Sequence, residues 1–188
     1  KSKKELNIGM RYVYEDRWGG QMNWNPEFRG GDSIYGESIY TNRFEVFGNY
    51  QLPIKEDINL QFSANTHAQN SVYGNTFYEA DQRIGFTQLT WNKELFNSHD
   101  LLVGAAYRYT YYDDNTPATF SFDSLNNDPQ HIHLPGLFVQ DEISMNEFNT
   151  LLVGLRYDHN SAHGNIFSPR INYKWNSKNN KTIVRLSA

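Results

Sequence analysis

Histidine and aspartate are the residues of this chain whose placement first suggests chemistry. Five of the six histidines, His67, His131, His133, His159 and His163, sit in or beside polar stretches. A hairpin turning at Met145–Asn149 would set residues 131 and 133 opposite 163 and 161, making His131, His133 and His163 a candidate transition-metal site, because imidazole nitrogen suits such ions. Counted in twos, however, these histidines continue the apolar side of their strands, where an imbedded rim imidazole ordinarily hydrogen-bonds to solvent. The stretch DDNTPATFSFDSLNND offers harder ligands: Asp113, Asp114, Asp123 and Asp128 could hold calcium in a loop, although no EF-hand spacing is present. No other cofactor is expected. A third set is aromatic. Trp18, Trp24, Phe28, Tyr35, Tyr73, Phe77, Tyr78, Phe120 and Phe122 stand among Gly, Asn, Ser and Asp, and rigid rings beside adaptable hydrogen-bonding neighbours make candidate ligand-binding residues. Catalysis lacks a motif: there is no GxSxG, HExxH or P-loop pattern, and the glycine pairs of WGG and RGG read as turns. The expectation is a protein that is not an enzyme, with Asp113, His133 and His159 as the rim groups an exception would use. Seventeen Lys and Arg against 21 Asp and Glu, a net charge of −4, oppose nucleic-acid binding.

The elements that must position these residues are strands. Leu6, Ile8, Met10, Tyr12 and Tyr14 alternate with Asn7, Gly9, Arg11 and Glu15, Val13 being the exception, and this period of two recurs along the chain. Phe44, Val46, Tyr50 and Leu52 form the apolar side of a second run. Further runs are built on Ile58, Leu60, Phe62 and Ala64, on Leu101 to Tyr109, on Leu151 to Tyr157, and on Ile171, Tyr173 and Trp175. Two segments are less regular. Arg83–Trp91 changes phase near Thr87, which a β-bulge would explain, and Leu137, Val139 and Ile143 share their side with Asp141. The total is about nine strands. Connections after the first, third, fifth and seventh strands read as long and polar, whereas those after the even strands read as tight turns. In an antiparallel meander that pattern collects the long loops, including AQNSVYGNTFYEAD, at one rim.

Charge divides the same way. Lys1, Lys3, Lys4, Lys55, Lys93, Lys174, Lys178 and Lys181 all lie near the N-terminus or a short turn, while the long connections are acidic. Strands of about 10 residues tilted by roughly 45° span a membrane's hydrocarbon. The apolar side would then meet lipid, the Gly, Arg and Thr side a wet lumen, and the tyrosines at the strand ends an interfacial girdle. Tyr12, Tyr14, Tyr109, Tyr111 and Tyr157 would mark one interface, and Tyr50, Trp91, Tyr173 and Trp175 the other. Only a closed barrel satisfies strand backbones in lipid. No run of roughly 20 apolar residues occurs to make a membrane helix, and there is no signal-peptide core or cysteine.

The segment LPGLFVQDEISMNEFNTLLVGLRYDHNSAHGNIFSPRINYKWNS, residues 134–177, resembles the barrel of TonB-dependent outer-membrane receptors, where strands similar to FVQDE, LxxGLRYD and FSPRxNxxY follow one another. YEDRWGG, Tyr14–Gly20, resembles a loop of Bacteroidetes-type members. The resemblance implies an all-β, antiparallel up-and-down transmembrane β-barrel, of which residues 1–188 are one part: about nine strands of a larger, 22-stranded barrel. The plug domain and the remaining strands are absent from this sequence, and the run VRLSA ends in mid-alternation. The implied parent is a Gram-negative outer-membrane transporter importing a ferric siderophore or cobalamin, with outer-membrane lipid around it and TonB contacted through the plug. Two other readings stand beside it: a non-transporting outer-membrane barrel or adhesin, and a soluble small-molecule-binding β-barrel.

Overall fold

Among the described residues nine strands, each hydrogen-bonded only to its neighbours in sequence, make one antiparallel sheet of order β1-β2-β3-β4-β5-β6-β7-β8-β9. The computed structural model describes residues 5–123, 126–179 and 181–188. Lys1, Lys3 and Lys4 lie outside them. The strands are β1 (Glu5–Gly20), β2 (Gly36–Gln51), β3 (Asp57–Tyr73), β4 (Thr76–Leu95), β5 (His99–Asp114), β6 (Gln130–Asn146), β7 (Asn149–Asn160), β8 (Gly164–Asn176) and β9 (Ile183–Ser187).

Alternation and register agree. Met10 faces Val46, Val46 faces Ala64, Val103 faces Val139, and Leu155 faces both Val139 and Pro169, so one face of the sheet is continuously apolar. Nothing covers it. Met10, Leu137 and Leu155 are 73%, 62% and 49% exposed, and Trp24, Val72 and Ala106 are the buried hydrophobic residues among those described. Val103, expected in lipid, is likewise exposed. A water-soluble sandwich or calyx would bury this face under a second layer; here no such layer exists among the described residues.

The opposite face is polar. Glu45 on it takes ion pairs from Arg11 (2.5 Å) and Arg43, and Arg156 grips Asp158 with two 2.7 Å hydrogen bonds while its guanidinium lies 5.4 Å from the Phe138 ring centre. Phe138 and Phe47 lie over Gly104 and Gly9, in the space where a Cβ would stand. Asp141 does lie on the apolar face, as its parity requires, and near the short-turn rim it meets His99 Nδ1 at 2.7 Å.

Three sequence expectations need correction. The connection after β3 is not a long loop: Gly74 and Asn75 alone join Tyr73 to Thr76, and AQNSVYGNTFYEAD continues as paired strand. Gly74, with φ +61°, takes the first central place of a two-residue turn, where glycine costs least. The connection after β7 is also tight, so that among the connections between described strands those from β1 to β2 and from β5 to β6 are the long ones. No bulge occurs at Thr87, whose pairing with Phe62 and Tyr107 is regular. The apparent phase change comes from Ile84 and Phe86, which face the polar side; the register shift lies instead between Ser144 and Asn146.

Candidate functional site

Above the row of tyrosines that ends the apolar face, the strands run on, and the chemistry-bearing residues collect there on both faces. On the polar face, Tyr78 and Tyr112 share a 3.0 Å hydroxyl hydrogen bond, and Tyr112 donates to Asp114 at 2.7 Å. The 3-10 turn Pro117–Thr119 completes the arrangement: Thr116 donates its backbone N–H and hydroxyl to the Asp114 carboxylate, and the Thr119 hydroxyl donates to the Asp114 carbonyl at 2.6 Å. Burial works to raise the Asp114 pKa, but hydrogen bonds from Tyr112, Thr116 and Thr119 outweigh it, and the carboxyl titrates below the ordinary aspartate range. Its bonds to Tyr78 and Asp114 push the Tyr112 phenol upward. Beside them Tyr35 donates to Glu37 at 2.8 Å, with its own pKa raised by that bond, and Tyr73 stands opposite Glu37 on the same face.

Asp114 fastens the loop 115–129 to the sheet, so its removal has a local cost. Asp114→Ala should lose about 1–3 kcal/mol, the penalty for stripping partners from buried donors, and amide exchange in that loop should rise. The depressed pKa fixes the pH dependence: the stabilisation is fully present above the unfolded aspartate pKa of about 3.9 and disappears as pH falls through the lower folded value. Protection of the loop amides, their exchange rate relative to that of unprotected amides at the same pH, should therefore fall below about pH 4, and protection flat across that range would refute the assignment.

On the other face, loop 21–35 folds back over the sheet. Trp24, 5% exposed, covers Gly36 and stacks on Trp18 with ring centres 5.3 Å apart. Arg29 donates to the Ser38 hydroxyl at 3.1 Å and to Asn70, with its guanidinium 4.6 Å from the Tyr40 ring centre. Phe77 packs against Gly30, a position of positive φ.

The nine aromatic candidates therefore separate. Tyr35, Tyr73 and Tyr78 gather on the polar face; Trp18, Trp24 and Phe77 belong to the apolar-face side. Phe28 lies in the 3-10 turn Pro26–Phe28, Phe120 in a short bridge with Asn127, and Phe122 stands fully exposed in the loop. Trp18, Tyr73, Phe77 and Tyr78 are strand residues rather than loop residues, and so is YEDRWGG, which forms the upper part of β1. Sequence reasoning missed Tyr112 and Asp114 as a linked pair. Parity was the available signal, since it places both beside Arg108 on the polar side.

The histidine register expected from the Met145–Asn149 turn is present: Ser161 N–H donates to the His133 carbonyl at 3.0 Å and the Ser161 hydroxyl accepts from His133 N–H at 2.9 Å. His133 and His131 spend Nδ1 on the hydroxyls of Tyr107 (2.7 Å) and Tyr109 (2.8 Å). Asp113 accepts from Tyr111 and Asn127. Among the described residues no three His, Cys, Asp or Glu side chains converge as a metal-holding group.

A family model described as TonB dependent receptor-like, beta-barrel, matches residues 3–188. Among solved structures the fold is similar to a mutant of the ferric enterobactin receptor PfeA from Pseudomonas aeruginosa, at 15% identity and TM-score 0.64, over 80% of this chain and 25% of that one. It is also similar to the siderophore receptor PirA from Pseudomonas aeruginosa, at 16% identity and TM-score 0.55, over 77% of this chain and 27% of that one. The ferric enterobactin receptor PfeA in complex with BCV-L6 matches at 19% identity and TM-score 0.54, over 73% and 23% of the two chains. The chain spans about a quarter of the length of these receptors. No curated protein sequence matches it.

Proposed function

This chain belongs to the TonB-dependent receptor-like β-barrel family, and on that premise we propose that it forms part of the wall of a Gram-negative outer-membrane importer of ferric siderophores, with cobalamin as the second candidate cargo. The observation that carries the reading is the pair of unlike faces: one apolar, uncovered and edged by aromatic rows, the other charged and hydrogen-bonded. In this reading lipid wets the first face and the second lines the lumen, where the rest of the receptor supplies the remaining strands, the plug and the contact to TonB. The names borne by similar structures, ferric enterobactin receptor and siderophore receptor, favour a siderophore as cargo. The similar structures are receptors, not enzymes.

Tyr35, Tyr73 and Tyr78 are the cargo contacts in this proposal, because they present phenol rings to the lumen above the girdle. Titration of the full-length receptor in detergent with ferric siderophores and with cobalamin tests it. One of them should bind, and Tyr78→Ala should weaken that binding about 10-fold, the loss of roughly 1.4 kcal/mol of contact, while Tyr78→Phe weakens it less. If neither compound binds, both cargoes are rejected and the wall architecture stands.

A further inference from the structure

Two of the phenols on the polar face above the girdle have already given their hydroxyl protons to the wall. Tyr112 carries a single hydroxyl hydrogen and aims it at Asp114, 2.7 Å away, so in its 3.0 Å bond with Tyr78 it can only accept. Tyr78 is therefore the donor. Tyr35 directs its hydrogen to Glu37 at 2.8 Å. Both chains end on a carboxylate, and the raised pKa values of Tyr112 and Tyr35 keep these protons in place at neutral pH. What Tyr35 and Tyr78 have left for a ligand is oxygen lone pairs. Fixed charge points the same way. On β1 to β5 above the level of Arg43, the charged residues of this face are Glu15, Arg17, Glu37 and Asp114. Arg17 lies 3.5 Å from Glu15 and Asp114 is buried, so the exposed Glu37, with one carboxylate oxygen not engaged by Tyr35, sets the local field. The rings add to it, since Tyr35 and Tyr73 are exposed and the face of a phenol attracts a cation.

We propose that this wall selects a ferric chelate bearing a free ammonium group and turns away an anionic one. The proposal rests on the cargo role given above to Tyr35, Tyr73 and Tyr78, and adds to it the charge of the cargo. An ammonium is all donor and no acceptor, the complement of two phenol oxygens whose protons point away and of a carboxylate beside them. The Tyr35 and Tyr78 oxygens are the better acceptors for it, because each donates its own proton into a chain that ends on a carboxylate and is polarised by it. A catecholate chelate brings oxygen and negative charge to the same wall. Neither Tyr35 nor Tyr78 has a proton to meet it, and Glu37 repels it.

The test titrates full-length receptor in detergent with ferrioxamine B, a ferric trihydroxamate with a free ammonium group, with its N-acetylated form, which lacks that charge, and with ferric enterobactin, a catecholate anion. The ammonium form should bind about 10-fold more tightly than the acetylated one, the advantage of a charge-assisted hydrogen bond, and excess ferric enterobactin should not displace it. Glu37→Gln keeps an oxygen to accept from Tyr35 and removes only the charge; the preference for the ammonium form should disappear with it. Tyr112→Phe acts from behind the site, leaving the Tyr78 proton without its acceptor and free to turn to the lumen, so the preference should narrow there too. Equal affinity for the two hydroxamates, tighter binding of ferric enterobactin, or a preference that survives both variants would each overturn the proposal and leave the importer reading intact. Binding of no ferric chelate at all would reject the siderophore reading, and this proposal with it.

Discussion

Ala105→Arg should destabilise the folded receptor in a bilayer by about 2–4 kcal/mol, the cost of arginine on the lipid face near the membrane midplane. Ala105 lies midway along the apolar side of β5, between Leu89 and Leu137, with His99 below and Tyr111 above. The side chain is exposed, and among the described residues no protein layer covers it. In water an arginine at so open a position would be nearly neutral, within about 0.5 kcal/mol; only hydrocarbon makes it expensive. Gln88→Arg is the control, because Gln88 faces the polar side opposite Gln61 and Ala106. Reversible urea unfolding of the full-length receptor in lipid vesicles should separate the two variants by at least about 2 kcal/mol. Equal costs would remove the lipid-facing assignment.

Trp24→Ala should release loop 21–35 from the sheet. Truncating a buried large aromatic costs about 3–5 kcal/mol, and Trp24 is the one large side chain buried by this loop, seated over Gly36 and stacked on Trp18. The loss is local. Hydrogen exchange should rise across residues 21–35 and fall off into β2 and β3, where the ladder is intact. Gly36→Ala attacks the same contact from below, since its new methyl occupies the space of the Trp24 indole. Because both variants act on one contact, their combination should be no worse than Trp24→Ala alone. Additive effects, or unchanged exchange in either variant, would show that Arg29 and its bonds to Ser38 and Asn70 hold the loop without the indole.

The strands that cross the apolar layer were legible in the sequence because one of their sides had to be greasy. Leu6 to Tyr14 and Leu101 to Tyr109 announce themselves by alternation, and the pairing of His133 with Ser161 followed from the length of one turn. Where strands rise above the tyrosine row, that cue vanishes. Residues 68–81 carry polar and apolar side chains on both faces, Val72 and Phe77 paired on one and Tyr73 and Tyr78 on the other, so the period of two shows no hydropathy contrast and the stretch reads as loop, although its hydrogen bonds are those of a ladder. Ile84 and Phe86 misled for a related reason, since the polar face admits apolar rings and a change of side looks like a bulge. The sorting of aromatics onto opposite faces needs the register of four strands and the backward fold of loop 21–35. No spacing along the chain encodes it.

The strictly consecutive strand order bears on how such a wall is built. Each hairpin can close on the one before it without waiting for distant parts of the chain, so closure entropy stays small at every step. Growth can proceed as a zipper, with the last strand laid down acting as template for the next. A machine that feeds hairpins into the membrane in order of synthesis would need no rearrangement of the strands already placed.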